Sequence, residues 1–199
     1  AHFQELVSQS AAEYDLVVFP DPGHPQFSEM LHQRPRASRE RALAPGFLLA
    51  RRPRWPIQRI LLVLSGECGD EAAANWAELL ARKSGAGATI LAVTPPVPAM
   101  YAGLRGMAHG LASMLSTDTP LGQQMRQASR KLVESGIEAT LKLREGAPDW
   151  QISLEAIEGE YDLVVLAAQA RRTGLRRLDR SLVGDILRSL ARPVLIVKP

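Results

Sequence analysis

The sequence predicts an α/β fold: a doubly wound parallel sheet of five strands, preceded by a partial copy of the same module. Ile60–Leu64 and Tyr161–Ala167 are apolar runs without alternation, which is typical of strands covered on both faces. Such runs alternate with helical stretches of about ten to fifteen residues. Strands and helices in alternation favour right-handed crossovers, and therefore a parallel sheet with helices on both faces.

An internal repeat gives the third observation. The hexapeptide Glu13–Val18 returns as Glu160–Val165, and Pro45–Leu49 is answered by Pro193–Val197 at nearly the same offset. Two matches at one offset predict duplication of a whole domain.

The repeat divides the chain into two predicted units. Residues 55–199 have room for a complete copy, whereas residues 1–54 hold only the last part of one. That partial repeat is predicted to contain a helix near Phe3–Val7 and strands at Tyr14–Phe19 and Phe47–Ala50.

The first half of the complete domain is predicted as strand, helix, strand. Asp70 follows the strand Ile60–Leu64, and its side chain is suited to a helix N-cap. A helical stripe runs from there to Gly85, a residue that commonly ends helices. The stripe consists of Ala73, Trp76, Ala77 and Leu80. The next strand is Ala88–Val93, which a Pro-Pro pair ends.

The second half adds three predicted helices and three strands. Pro120 begins a helix with the apolar face Leu121, Met125, Ala128 and Leu132. Pro148 begins another, with the apolar face Trp150, Leu154 and Ile157. Ser181 is predicted to cap the last helix, with the apolar face Leu182, Ile186 and Leu190. The strands are Ile137–Leu143, Tyr161–Ala167 and Pro193–Val197.

Composition excludes several classes of protein. The chain has 199 residues, 46% of them hydrophobic, and no run approaches the roughly 18 uncharged apolar residues of a membrane span. The N-terminus lacks the basic-then-apolar pattern of a signal peptide. The single cysteine, Cys68, excludes an internal disulfide and fits a reducing compartment, so we expect a cytoplasmic protein.

Residue spacing gives little support to nucleic-acid binding, a metal site or catalysis. Residues 34–54 and 171–192 each hold seven arginines, but neither window shows interleaved aromatics or a recognised binding motif. The histidines show no metal-ligand spacing with one another or with Cys68. No Ser-His-Asp or paired-carboxylate arrangement is evident. We therefore expect no nucleic acid, no metal and no enzyme activity.

Ligands of parallel α/β sheets bind beyond the carboxyl ends of the strands. The sequence places that edge at Ser65–Gly69, Val93–Pro96 and Ala167–Arg171. The Met- and Gly-rich segment 97–115 follows one of these loops. It is interpreted as a cover packed on its own core, a lid over an apolar ligand, or a partner-binding helix.

These features resemble the universal stress protein family over Ile57–Pro199. Members open with a strand, an Asp-Gly-Ser-type turn and an Ala-rich helix. They close with an apolar strand, a Gly-x2-Gly loop, a Gly-Ser or Gly-Thr pair, a helix and a Pro-Val-Leu-Val-Val strand. The matching stretches here are Ile60–Leu64, Gly66, Ala72–Ala77, Leu163–Leu166, Ser181 and Ala191–Val197. The resemblance implies the fold of the adenine-nucleotide alpha-hydrolase-like proteins.

Many relatives bind ATP through the closing motif, and this chain departs from that motif. Glycines let the backbone approach the phosphates, and amides at a helix N-terminus receive the charge. The three glycine positions are occupied here by Ala167, Ala170 and Arg180, and Ser65 stands where relatives have Asp. Because only Gly66, Val93 and Ser181 match, we expect no tight ATP binding and no required cofactor.

The resemblance implies a non-catalytic regulatory or interaction module in stress response, acting on a protein partner. The alternative is a protein that binds ATP, another adenine nucleotide or a phosphate-bearing ligand through a remnant site. That site would comprise Gly66, Val93, Arg171, Arg172, Arg180 and Ser181.

The partial repeat also predicts assembly. In the family, the last strands of two domains meet, so we expect Phe47–Ala50 beside Val194–Val197. Two strands alone leave an edge and an apolar face exposed to water. A homodimer that covers the remaining edge is therefore expected.

Overall fold

The computed structural model of the chain describes residues 14–19, 43–67, 69–96, 110–168 and 179–198. Several predictions concern residues outside these ranges. They are the helix near Phe3–Val7, Cys68, the four histidines, residues 97–109 of the Met- and Gly-rich segment, and Ala170, Arg171 and Arg172.

The described part of the chain contains seven strands and five helices. The strands are β1 Leu16–Phe19, β2 Gly46–Leu49, β3 Arg59–Leu64, β4 Gly87–Thr94, β5 Ala139–Glu145, β6 Leu163–Ala167 and β7 Val194–Val197. The helices are α1 Asp70–Ser84, α2 Leu111–Ser116, α3 Pro120–Glu134, α4 Pro148–Glu158 and α5 Asp179–Ser189.

All seven strands form one sheet, in the order β1-β2-β7-β6-β3-β4-β5. The five strands of the predicted complete domain, β3 to β7, are parallel to their neighbours. Helices pack on both faces, so the doubly wound α/β fold predicted from the sequence is confirmed.

Alternate residues of the central strand β3 enter two separate cores. Ile60, Leu62 and Leu64 pack with residues of α1 and α3 on one face of the sheet. Leu61 and Val63 pack with residues of α4 and α5 on the other face. Burial on both faces is why β3 has to be a continuous apolar run.

The N-terminal strands extend this sheet within the same chain. β1 and β2 pair in parallel, and β2 pairs antiparallel with β7, with Phe47 opposite Ile196. This pairing confirms that the Phe47–Ala50 segment lies beside Val194–Val197. β1 is thereby left at one edge of the described sheet.

Trp76 on α1 fastens β2 to the larger unit. Its indole Nε1 donates a hydrogen bond to the carbonyl of Ala44 at 2.7 Å. Gly46 makes the close approach possible, because a Cβ there would lie 3.1 Å from Leu195 Cδ1 and 3.2 Å from the Trp76 ring. Arg51 adds a second tie, donating to the carbonyls of Leu187 and Leu190 at the end of α5.

Two strands begin later than the sequence predicts, because the residues before them still bond to the preceding helix. The amide of Ile137 donates to the Leu132 carbonyl of α3 at 3.0 Å, and β5 begins only at Ala139. The amide of Tyr161 similarly donates to Ala156 of α4 at 3.3 Å. β6 therefore begins at Leu163.

The two predicted N-caps are wrong. Gly69, with φ of 116°, is the N-cap of α1, and Asp70 is the first helical residue. α5 begins at Asp179, so Ser181 lies in its first turn instead of capping it. Apolar spacing locates a helix well but not its first residue, since several neighbouring residues suit an N-terminus.

The sequence analysis also predicts the wrong buried face for α4. α4 buries Ile152, Ser153, Glu155 and Ala156, whereas Trp150 and Ile157 are 65% and 58% exposed. The buried Glu155 is held by basic residues of β5, a long-range contact that local periodicity does not report.

Replacing Trp76 with Phe tests the tie between α1 and β2. The Trp76→Phe variant keeps most of the ring but leaves the Ala44 carbonyl without its donor. We expect a loss of about 1–3 kcal/mol in the free energy of unfolding, measured by urea denaturation. Trp150→Phe, on the exposed side of α4, is the control and should change stability by less than about 0.5 kcal/mol. Equal losses in the two variants would contradict this role of Trp76.

Candidate functional site

The carboxyl ends of β3, β4 and β6 meet at one edge of the sheet. Leu64 pairs with Ala92, and Val63 pairs with Leu166, so the residues that follow lie at the same level. The structure thereby brings Gly66, which follows β3, near Val93, which is the second-last residue of β4. This is the edge at which the sequence places a ligand site.

The side chain of Asp70 accepts hydrogen bonds from the backbone amides of the loop after β3. Its Oδ2 accepts hydrogen bonds from the amides of Ser65 at 2.8 Å and Gly66 at 2.7 Å. Its Oδ1 accepts from the Ser65 hydroxyl at 3.1 Å. Asp70 is 2% exposed, so its carboxyl group is buried and accepts hydrogen bonds from three donors.

Burial and hydrogen bonding act on this carboxyl in opposite directions. Burial raises the pKa of Asp70 above its usual value, because it disfavours the charged form. The hydrogen bonds from Gly66 and Ser65 offset part of that rise, because they favour the carboxylate.

α3 packs directly on Gly66. The residue has φ of +80°, and a Cβ there would lie 3.1 Å from Leu121 Cβ and 3.2 Å from the Leu121 amide nitrogen. Gln124, one turn further along α3, donates to the carbonyl of Glu67 at 3.1 Å. Leu121 of α3 therefore fills the space beside Gly66 that the missing side chain leaves open.

The third loop at this edge of the sheet follows β6. Ala167 is the last residue of β6 and is buried, and the next amide, of Ala168, donates to Val197 at 2.7 Å. Among the described residues other than glycine, only Arg52 and Glu160 have positive φ, so Ala167 is unstrained. Arg180 and Ser181 lie in the first turn of α5, while Arg171 and Arg172 lie outside the described residues.

A second polar cluster lies between β5 and α4, and the sequence analysis missed it. Glu155, 1% exposed, accepts from Lys142 Nζ at 2.7 Å, from Arg144 Nε at 2.6 Å and from the Tyr161 hydroxyl at 3.0 Å. Arg144 also bonds to Glu158. The available signal was the alternation of Lys142, inside the predicted strand Ile137–Leu143, with Arg144, directly after it.

This Glu155 cluster borders an open groove of about 640 Å³ along β5. Burial alone would raise the pKa of Glu155, but the hydrogen bonds from Lys142, Arg144 and Tyr161 outweigh it. The pKa therefore lies below its usual value, and Glu155 is ionised at neutral pH. A carboxylate this well paired is suited to holding α4 on the sheet and poorly suited to proton transfer.

Two kinds of feature are absent from the described residues. No group of three or more His, Cys, Asp or Glu residues there could hold a metal ion. Within the same residues, no helix is long and apolar enough to cross a membrane.

Comparison with known proteins decides the family. The model of the universal stress protein family matches residues 56–198. The chain belongs to the universal stress protein family. No curated protein sequence matches the chain.

Solved universal stress proteins share its fold at low sequence identity. A universal stress protein in complex with cAMP is 21% identical, with a TM-score of 0.55, and covers 71% of this chain and 97% of its own. UspA from Lactobacillus plantarum is 20% identical, with a TM-score of 0.56, and covers 72% of this chain and 99% of its own. At these identities the likeness shows the fold alone.

A longer structure also matches the N-terminal region. The putative universal stress protein from Pseudomonas aeruginosa UCBPP-PA14 is 19% identical, with a TM-score of 0.64. It covers 98% of this chain, and the chain spans 68% of its length. The match thus includes residues before position 56, where the family model begins.

Replacing Glu155 with Gln tests the cluster through its pH dependence. The Glu155→Gln variant should lose about 1–3 kcal/mol of unfolding free energy at pH 7, because two cations lose their carboxylate. The folded-state pKa of Glu155 is lowered, so wild type holds this contribution above the unfolded-state pKa. Wild type loses it as the pH falls through the folded-state pKa, and the difference between the two proteins should then shrink.

Thermal and urea denaturation between pH 7 and pH 3 measure this difference. Glu158→Gln, which removes the more exposed carboxylate on Arg144, is the control and should cost less than about 1 kcal/mol. A Glu155→Gln deficit that stays constant or grows toward pH 3 would show that the charge of Glu155 is not what stabilises the fold.

Proposed function

We propose that this universal stress protein is a non-catalytic regulatory or interaction module in stress response that does not bind ATP tightly. The proposal rests on one observation: the loop after β3 is already hydrogen-bonded and packed within the protein. Its Ser65 and Gly66 amides donate to Asp70, and Leu121 packs on Gly66. These are the groups at the strand edge that a bound phosphate or ribose would otherwise approach.

Displacing these contacts would cost free energy that a nucleotide has to supply. Removing Asp70 from the amides leaves a buried carboxylate without donors, a cost of about 1–3 kcal/mol or more for a charged group. A nucleotide would also meet Ser65 where relatives have Asp, and Ala167 at a glycine position. Each point supports weak binding or none.

The state of Asp70 and Glu155, the two most buried carboxyl groups among the described residues, supports a non-catalytic role. Asp70 is held by the β3 loop, and Glu155 is held by Lys142 and Arg144. A general acid or base has to reach a substrate proton, and both groups are engaged with the protein. The single cysteine of the chain favours a reducing compartment, and we place the protein in the cytoplasm on that ground.

The alternative is a module that binds an adenine nucleotide or another phosphate-bearing ligand. One similar structure was solved with cAMP, which makes this class of ligand the natural comparison. Binding would then use Gly66, Val93, Ser181 and the arginines Arg171, Arg172 and Arg180, with the anion at the N-terminus of α5.

Calorimetric titration with ATP, AMP and cAMP separates the two functions. We expect no dissociation constant in the low micromolar range, which would correspond to about −8 kcal/mol. Such an affinity for any of the three, lost in the Arg171→Ala/Arg172→Ala double variant, would establish the alternative.

Removing the carboxylate of Asp70 tests whether this group is the cause of weak nucleotide binding. Asp70→Ser frees the two amides, so binding of inorganic phosphate or ATP should become measurably tighter than in wild type. Glu71→Ser removes an exposed carboxylate from the same helical turn and should have no such effect. Equal affinities in wild type and folded Asp70→Ser would show that Asp70 does not keep anions out.

We also propose that two copies of the chain associate. β2 already covers β7, so the edge that the N-terminal strands leave uncovered is at β1, where Val18 is 54% exposed, and β5 forms the other edge of the described sheet. Light scattering at micromolar concentration should give about twice the chain mass of 21.7 kDa, and Val18→Lys should lower it. A wild-type mass of one chain would exclude the dimer.

A further inference from the structure

The internal repeat makes β1 the counterpart of β6. Glu13–Val18 and Glu160–Val165 have the same sequence, and each contains the start of a strand. β6 lies between β7 and β3. Among the described strands, β1 pairs with β2 alone and forms one edge of the sheet. The two copies of the repeat therefore differ in one neighbour, the strand that β3 provides for β6.

In the complete domain, Asp162 fixes the start of that neighbouring strand. Its Oδ2 accepts hydrogen bonds from the backbone amides of Gln58 at 2.9 Å and Arg59 at 3.1 Å. Arg59 is the first residue of β3, and the two strands pair in parallel from Ile60 opposite Leu163. A carboxylate that accepts from two amides at the start of a strand favours one register of pairing.

The equivalent carboxylate of the partial repeat, Asp15, is exposed. Within the part of the chain that the structure describes, its side chain makes no hydrogen bond and no ion pair. Its backbone carbonyl accepts from the amide of Gly46 in β2 at 2.8 Å, which holds the residue at the start of β1. Asp15 therefore has the position of Asp162, with a carboxylate that is accessible to the amides of a further strand.

The backbone of β1 presents its outer groups as β6 does. The carbonyls of Asp15 and Phe19 accept from amides on the β2 side, and the direction of these groups alternates along a strand. The amides and carbonyls of Leu16 and Val18 therefore point to the open edge. The equivalent residues of β6 pair with β3.

The side chains of β1 also suit a covered strand. Leu16–Phe19 is a continuous apolar run like those of β3 and β6, yet Val18 is 54% exposed and Tyr14 is 60% exposed. Natural edge strands are commonly protected by charged residues. β5, at the other edge of the described sheet, carries Lys142 and Arg144, whereas β1 carries no charged residue.

A second copy of the chain would not satisfy Asp15. Two copies related by a two-fold axis would pair their β1 strands antiparallel, so the start of one strand would lie beside the end of the other. That end is Phe19, whose backbone carbonyl faces β2, followed by Pro20, which has no amide hydrogen. A parallel strand that begins beside Asp15 instead brings amides to the carboxylate, as β3 does for Asp162.

We propose that the open edge of β1 accepts a parallel apolar strand of a partner protein, and that Asp15 binds the first backbone amides of that strand. The partner segment resembles β3: an apolar run like Ile60–Leu64, preceded by two residues other than proline. Main-chain hydrogen bonds supply affinity, and apolar side chains select the segment.

This proposal rests on the proposed role as an interaction module and states the chemistry of its partner. It does not involve the β3 loop, so the nucleotide titration above tests a separate claim. The partner strand and a second copy use the same edge of β1 and exclude each other. The dimer proposed above is then the state of the chain without its partner.

Two synthetic peptides test the proposal. The first has the β3 sequence of residues 57–65 followed by a fluorescent label, and the second carries N-methyl groups on the amides equivalent to Gln58 and Arg59. In the complete domain these amides bond to the Asp162 side chain, so methylation leaves the strand-pairing donors in place. Fluorescence anisotropy should show binding of the unmodified peptide to the full chain, and binding of the methylated peptide weaker by about tenfold or more.

Two variants locate the binding surface. Asp15→Ala should bind the unmodified peptide about tenfold more weakly than wild type and should no longer distinguish the two peptides. Val18→Pro removes an outward amide of β1 and should also weaken binding, while its melting temperature stays close to that of wild type. Glu134→Ala, at an exposed acidic position of α3, is the matched control and should leave the affinity unchanged.

Three results would overturn the proposal. The first is wild-type protein that binds neither peptide or binds both equally. The second is a difference between the two peptides that persists in Asp15→Ala. The third is a complex of the unmodified peptide with two chains in light scattering, because a second copy would then still cover β1.

Discussion

Burial on both sides of the central strands is the constraint on which the structure depends. Every residue of β6 and β7 is buried, and β3 is buried from its second residue onward. Such strands need helices on both faces and a paired strand at each side. β6 pairs with one side of β7, and β2 pairs with the other. The N-terminal strands are therefore part of the sheet, because they satisfy the backbone of Val194–Val197 that would otherwise form an edge.

The same constraint shapes the candidate site. α1 has to turn back immediately after β3, and Gly69 with positive φ begins that turn. The turn brings the Asp70 carboxylate to the amides of Ser65 and Gly66, and α3 packs Leu121 on Gly66. The loop that faces the ligand edge is thus stabilised by groups of the protein itself. The Ser65 and Gly66 amides are already bonded within the protein, and the proposed lack of tight nucleotide binding rests on this arrangement.

The sequence predicted the fold well, because burial on both faces leaves a local signal. Continuous apolar runs mark β3, β6 and β7, and helical spacing correctly marked Met125, Ala128 and Leu132 as the buried face of α3. The errors occur where contacts outside a helix decide which of its faces is buried or at which residue it begins. Local periodicity predicts that Trp150 and Ile157 of α4 face the core, because it cannot show that Lys142 and Arg144 neutralise the buried Glu155. Asp70 looked like an N-cap because its true partners, Ser65 and Gly66, are fixed by the three-dimensional turn and not by spacing.

The central claim is that Asp70 keeps the amides of the β3 loop from ligands. Nuclear magnetic resonance of the ¹⁵N-labelled protein tests it most directly, since it observes the Ser65 and Gly66 amides themselves. We predict that both resonances keep their positions and their protection from hydrogen exchange when millimolar ATP is added, and that both shift in Asp70→Asn without ATP. Saturable shifts of Ser65 and Gly66 on addition of ATP to wild type would contradict the claim.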